Sequence, residues 1–186
     1  MQTDIIIITA LDMELDARQL PADIGIYYSG IGKINAAITT MRAIEQSKPK
    51  LIINFGTAGA VHPGTTGLLG IGRVVQRDII AEPLSPRGQV PYCTRPYEYF
   101  SKSGDISCGT GDSFVTSYDP WLVQQDISVV DMELFAIAAV AHEHQIEWMS
   151  YKFVTDHANE SSGQDWVKKV NHGEILFLEQ LKSIIQ

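Results

Sequence analysis

The 186-residue sequence predicts an α/β fold in three layers, α/β/α, around a central mixed, mostly parallel sheet. Three observations predict it. Strand-like runs alternate with segments of helical period, the order expected of strands joined by crossover helices. The first run, DIIIIT at Asp4–Thr9, is apolar without alternation, as in a strand covered on both faces. Polar residues gather at the ends of the strand-like runs, where open α/β sheets place their ligands.

After Asp4–Thr9, IGIYYSG (Ile24–Gly30) reads as a second strand running into a glycine turn. GKINAAITTMRAIEQ follows, and its Ile34, Ala37, Ile38, Met41 and Ile44 predict an amphipathic helix that buries this stripe. KLIINFGTAGA repeats the pattern of a strand entering a glycine turn. GRVVQRDII and ISVV are further strands, the second leading into the apolar helix of VVDMELFAIAAVA, Val129–Ala141. IEWMSYKFVTD is a strand with a polar end, and WVKKVNHGEILFLEQLKSII closes the chain as one amphipathic helix. Ala81 to Ser103, rich in Pro, Gly and Tyr, is expected to be a long functional loop. There is no internal repeat, so residues 1–186 are expected to form a single domain.

A composition of 45% hydrophobic and 19% charged residues suits a globular protein with a proper core. The net charge of -8 argues against nucleic acid or an anionic membrane as partner, because neither would be attracted. Cys93 and Cys108 make no disulfide framework, which fits a reducing cytoplasm. The short apolar run near the N-terminus reads as a buried strand, not as a signal peptide or a membrane span.

Several motifs can be set aside. SGIGK has Tyr27 where a Walker loop needs its first glycine, and Ile34 where it needs Ser or Thr. Asn35 stands where a dinucleotide fingerprint needs its third glycine, so a tight strand–helix turn is the better reading. Histidines 62, 142, 144, 157 and 172 show no metal spacing, and no metal or other cofactor is expected. Ser113 in GDSFV lacks the flanking glycines of a nucleophile elbow, and Cys108 reads as packing.

Three carboxylates remain: Glu14, Glu133 and Asp156. Each has an ordinary local role, respectively a solvated helix-start residue, a partner of a helix dipole and an N-cap, and Asp131 reads as the cap of the helix after it. Together they fit cleavage of a bond at a sugar's anomeric carbon, which passes through an oxocarbenium-like state. That chemistry needs an acid for the leaving group, a base for water and a hold on the sugar hydroxyls.

SGIGKINAA, NFGTAGA, GDSFV, VVDMELFAIA and FVTDHA occur in the order found in the nucleoside phosphorylase/nucleosidase superfamily. The sequence most resembles its methylthioadenosine/S-adenosylhomocysteine nucleosidase branch, over nearly its whole length. The resemblance implies a phosphorylase/hydrolase-like fold and a small-molecule purine nucleoside as partner. It implies that Glu14 orients the attacking water and that Asp156 is the acid at purine N7, with Thr155 in a place usually held by serine. Met132 would pack on the ribose and Glu133 accept hydrogen bonds from its hydroxyls. Phe114 would stack on the base and Val115 read its edge, while Ser29, Thr57, Ala58 and Gly59 complete the implied substrate-binding set.

A carboxyl at 156 favours adenine, since relatives acting on 6-oxopurines often carry asparagine there. Phosphorylases of the superfamily typically hold phosphate with arginines, one just before a Gly-Thr turn; here that position is Asn54. Arg18 and Lys33 match no motif position, so water is expected as the nucleophile. Only fourteen residues separate Glu14 from Ser29, where the nucleosidases carry further strands, so a trimmed sheet is expected. SPRGQVPY resembles the loop that covers the 5′ substituent across a dimer interface, and a homodimer is expected. The competing readings are a purine nucleoside phosphorylase, a hydrolase of adenosine or futalosine, and a non-catalytic nucleoside-binding or storage relative. An intact water-orienting Glu14 weighs against the last.

Overall fold

The structure, a computed structural model, describes residues 3–158 and 162–185. Strand β1 (Ile5–Thr9) runs parallel to β2 (Gly25–Tyr28) on one side and to β3 (Leu51–Ala60) on the other. Its Ile6 and Ile8 join one core cluster and Ile7 another, so the strand is covered on both faces, as its unbroken apolar run requires. The shortened link from Glu14 to β2 holds only a 3-10 turn, Ala17–Gln19. The Tyr28 hydroxyl pins that link by donating to Leu15 O at 2.9 Å and accepting from Ala17 N at 3.0 Å.

The remaining strands are β4 (Leu68–Gln76), β5 (Glu98–Phe100), β6 (Ile106–Thr110), β7 (Val129–Asp131) and β8 (Glu147–Asp156). Five of the eight strand pairings are parallel, in keeping with a mixed, mostly parallel sheet. The sheet is not a flat middle layer, however. Strand β8 pairs with both β3 and β4, so β3, β7, β6, β4 and β8 close into a five-stranded, barrel-like ring. Close backbone approach in β4 accompanies the closure. A β-carbon at Gly70 would lie 1.9 Å from Ser103 O, so only glycine fits there.

Helix α1 (Lys33–Ser47) corrects the expected stripe. It buries Ala36, Thr40, Ala43, Ile44 and Ser47, while Ile34, Ile38 and Met41 are 73%, 45% and 38% exposed. The physical reason is its neighbour, the alanine-rich α3 (Leu134–Glu143), against which α1 packs through small side chains. A short α2 (Pro120–Gln124), capped by Asp119, and strand β6 were not legible as elements. The segment 81–103 also contains β5, an edge strand antiparallel to β4, and is not loop throughout.

The expected closing helix is two helices, α4 (Ser162–Lys169) and α5 (Glu174–Ile184), separated at residues 170–173. The break lets each meet a different surface. Phe177 of α5 stacks on Phe55 with centroids 4.3 Å apart, while α4 lies along β8. Among the described residues no helix is long and apolar enough to cross a membrane.

Candidate active site

A cleft of about 580 Å³, counting the part open to solvent, lies beside the ends of β1, β3, β7 and β8. Glu14, Glu133 and Asp156 all line it, together with Thr57, Ala58, Gly59, Phe114, Val115, Met132 and Thr155. Ser29 is not in the lining. Its hydroxyl donates to Gly30 O at 2.7 Å, which serves the glycine turn.

Glu14 follows β1 and is buried. Its Oε1 accepts from Thr57 N at 3.0 Å and from Thr57 Oγ1 at 2.9 Å. Its Oε2 accepts from Leu11 N at 3.0 Å and from Thr9 Oγ1 at 3.2 Å. Such a carboxylate is fixed in orientation before any ligand arrives. Asp156, the last residue of β8, receives Ala158 N on Oδ1 and Thr155 Oγ1 on Oδ2, both at 3.0 Å. It sits where β3 and β8 slip register, opposite Gly59. A β-carbon at Gly59 would lie 2.7 Å from Asp156 Oδ1, so the acid's position requires glycine at 59.

Glu133 stands at the start of α3. Asp131 caps this end as expected: its Oδ2 accepts from Leu134 N at 2.8 Å and Glu133 N at 3.3 Å. The glycine turn of SGIGK has a role that its motif did not disclose, because Gly32 N donates to Glu133 Oε1 at 2.9 Å. Burial, then the nearby Asp131 carboxylate, pushes the Glu133 carboxyl up to about 7, against the opposing pull of Lys152 and the Gly32 N–H. A raised folded value means that this stability contribution is full below the unfolded value and is lost as pH rises through about 7. Glu133→Gln is therefore expected to flatten the fall in stability from pH ~4.5 to 7, read from urea midpoints across that range. An unchanged slope would refute the assignment.

Sequence reasoning missed four residues here. Lys152 is fully buried on β8 and pairs with Asp131 at 2.8 Å. Burial alone would lower its pKa, but the Asp131 and Glu133 carboxylates hold the ammonium above the usual lysine range. A β-carbon on Gly56 would lie 3.3 Å from Lys152 Nζ and 3.4 Å from Glu14 Oε1, so Gly56 leaves room for both side chains. A lysine inside a strand as apolar as β8 was the available signal, since buried lysines need partners. Arg77 and Ser113 form a second missed pair on the lining. The arginine donates to Gly111 O at 3.0 Å and also to Ser113 O and Oγ, which holds the loop that leads to Phe114. Trp166 of α4 is the fourth, and nothing in its local sequence marked it.

The two cations set aside as phosphate ligands do lie elsewhere. Lys33 pairs with Asp78 at 2.6 Å, and Arg18 is an exposed partner of Asp16; neither lines the cleft. Asn54 does not face the cleft either. Its amide donates to Ile8 O at 3.0 Å and accepts from Ser150 Oγ at 2.9 Å, joining β1, β3 and β8.

The family model for the phosphorylase superfamily matches residues 22–103 and 107–185. The 5′-methylthioadenosine/S-adenosylhomocysteine nucleosidase of Staphylococcus haemolyticus is 34% identical over 155 residues, covering 70% of this chain and 67% of that protein. The Helicobacter pylori nucleosidase of the same name, solved with butyl-thio-DADMe-Immucillin-A, superposes with a TM-score of 0.88 at 20% identity. That match covers 99% of this chain and 98% of the other. Futalosine hydrolase from the same organism has the same fold, with a TM-score of 0.88, 20% identity and coverages of 98% and 97%.

Proposed function

This chain belongs to the phosphorylase superfamily, and we propose on that premise that it hydrolyses the N-glycosidic bond of adenine nucleosides. The substrate would be 5′-methylthioadenosine or S-adenosylhomocysteine, and adenine is released. One observation carries this reading: Glu14, Glu133 and Asp156, far apart in sequence, line a single cleft. Water held by Glu14 attacks the anomeric carbon and gives its proton to that carboxylate. The electron pair of the breaking C–N bond passes to the base, which Asp156 protonates at N7. Glu133 accepts from the ribose hydroxyls beside the apolar Met132. Phe114, half-exposed at the rim, stacks on the base, and the Val115 backbone reads its edge. A binding or storage module would have no need of a carboxylate held as Glu14 is.

The nucleophile is water and not phosphate, because Arg77, the cation on the cleft lining, and Lys152, buried behind it, are already engaged. Lys152 is paired with Asp131, and Arg77 holds the 111–113 loop. Adenine release from methylthioadenosine is expected to proceed at the same rate with and without phosphate. Strict phosphate dependence, with ribose-1-phosphate as the sugar product, would establish a phosphorylase.

A homodimer fits the surface. Ile34, Ile38 and Met41 of α1, with Tyr92 at 95% and Tyr97 at 49% exposure, are apolar side chains that a second copy of the chain would cover. Light scattering is expected to give twice the 20.6 kDa chain mass. A fully active monomer would contradict this. The unpaired cysteines, Cys93 exposed and Cys108 buried, fit the cytoplasm.

A further inference from the structure

We propose that Trp166 is a positioning residue for Glu14, acting through Thr57 by a directed chain of hydrogen bonds. The inference rests on the nucleosidase reading of Glu14 and adds a residue to it. The indole Nε1 of Trp166 lies 2.8 Å from Thr57 Oγ1, and that same oxygen lies 2.9 Å from Glu14 Oε1. The chemistry fixes the direction of both bonds. An indole nitrogen can only donate, so Thr57 Oγ1 accepts from Trp166. The hydroxyl has a single proton, which is then left to point at Glu14 Oε1. Thr57 N donates to the same carboxylate oxygen at 3.0 Å, so side chain and backbone of one residue clamp it together.

Without the indole N–H, the Thr57 hydroxyl could rotate and turn its proton toward water or a ligand. Glu14 Oε1 would then lose one of its two fixed donors. Trp166 also joins two parts of the molecule that share no sequence neighbourhood. It lies on α4, after Asp156, whereas Thr57 and Glu14 follow from the other end of the chain. Helix α4 therefore has to be seated against β8 for the chain of bonds to exist, which links closure of this side of the cleft to the setting of the base. The side chain is half-buried on the lining, so Trp166→Phe keeps an aromatic wall and removes only the donor.

Two experiments test the proposal. In the free protein, the Trp166 indole N–H is identified in a proton–nitrogen NMR spectrum by its absence from Trp166→Phe. Thr57→Val is expected to move that signal upfield and speed its exchange with solvent, and Glu14→Gln to shift it less. A signal indifferent to Thr57→Val overturns the chain of bonds. In the kinetic arm, Trp166→Phe is expected to lower kcat for methylthioadenosine by about 3- to 10-fold, the scale of one hydrogen bond, with KM little changed. In a Thr57→Val background the same change should add nothing, whereas in Thr57→Ser, which keeps the hydroxyl, it should cost as much as in the wild type. A rise in KM alone, or losses that multiply in the Thr57→Val background, would make Trp166 a wall and refute the positioning role. A wild-type chain that releases no base from any nucleoside would overturn the hydrolase reading instead. The NMR arm still decides the hydrogen-bond chain in that case.

Discussion

Asp156→Asn is expected to slow adenine release from methylthioadenosine by about 100-fold or more, the usual contribution of a positioned general acid. Asparagine keeps the shape of the side chain and can still meet Ala158 N and Thr155 Oγ1. It cannot give up a proton to N7. The loss should therefore fall on kcat, with the folded state unchanged by circular dichroism. Glu14→Gln should stop turnover to a similar degree, yet leave an oxocarbenium-mimicking analogue able to bind, because the base and ribose contacts are proposed to lie on other residues. Glu133→Ala should weaken both binding and turnover, since the hydrogen bonds to ribose proposed for it would exist before and during bond breaking. Steady-state kinetics and ligand affinity on the three variants separate the roles. A near-normal rate for Asp156→Asn would rule out the mechanism while leaving the fold untouched.

The second large effect concerns stability. Lys152→Met is expected to cost about 3–5 kcal/mol, because it leaves the Asp131 carboxylate buried without its counter-ion. In the intact protein burial would raise the Asp131 carboxyl, but Lys152, together with the hydrogen bonds from Thr110 and Leu134 N, outweighs burial and holds it below the usual range. Losing the ammonium inverts that balance. The deficit should narrow as pH falls and Asp131 takes up a proton, and Asp131→Asn placed alongside should recover part of it. Asp131 also accepts from Thr110 Oγ1 and caps α3, so the recovery should be incomplete. Urea unfolding of the single and double variants measures this. An unchanged midpoint for Lys152→Met would show that the pair contributes nothing net.

Local composition alone determined much of this protein. The unbroken run Asp4–Thr9 required a strand covered on both faces, and it lies between two apolar clusters. Asp131 before an apolar helical segment required a cap, and it is one. Glu14, Glu133 and Asp156 could be picked out because carboxylates at the ends of buried segments are few and sugar chemistry needs several.

Other features depended on which surfaces meet in space. Of the stripe that hydrophobic periodicity chose in α1, Ile44 is buried, but Ile34, Ile38 and Met41 turn outward, because α1 meets the alanine-rich α3 through Ala36 and Ala43. Asn54 read as an empty phosphate position, yet its side chain points between strands, because the residue alternation of β3 is settled by pairing. Glu133 follows β7, which runs antiparallel to β3, so a rule about parallel strand ends could not by itself place it beside Asp156. Closure of five strands into a ring does so. Arg77 and Trp166 were invisible for the same reason, and Lys152 signalled only that it needed a partner: each acts through a group distant in the chain. A sequence records which groups must be buried or paired, whereas the partner each one finds is decided only when strands and helices pack.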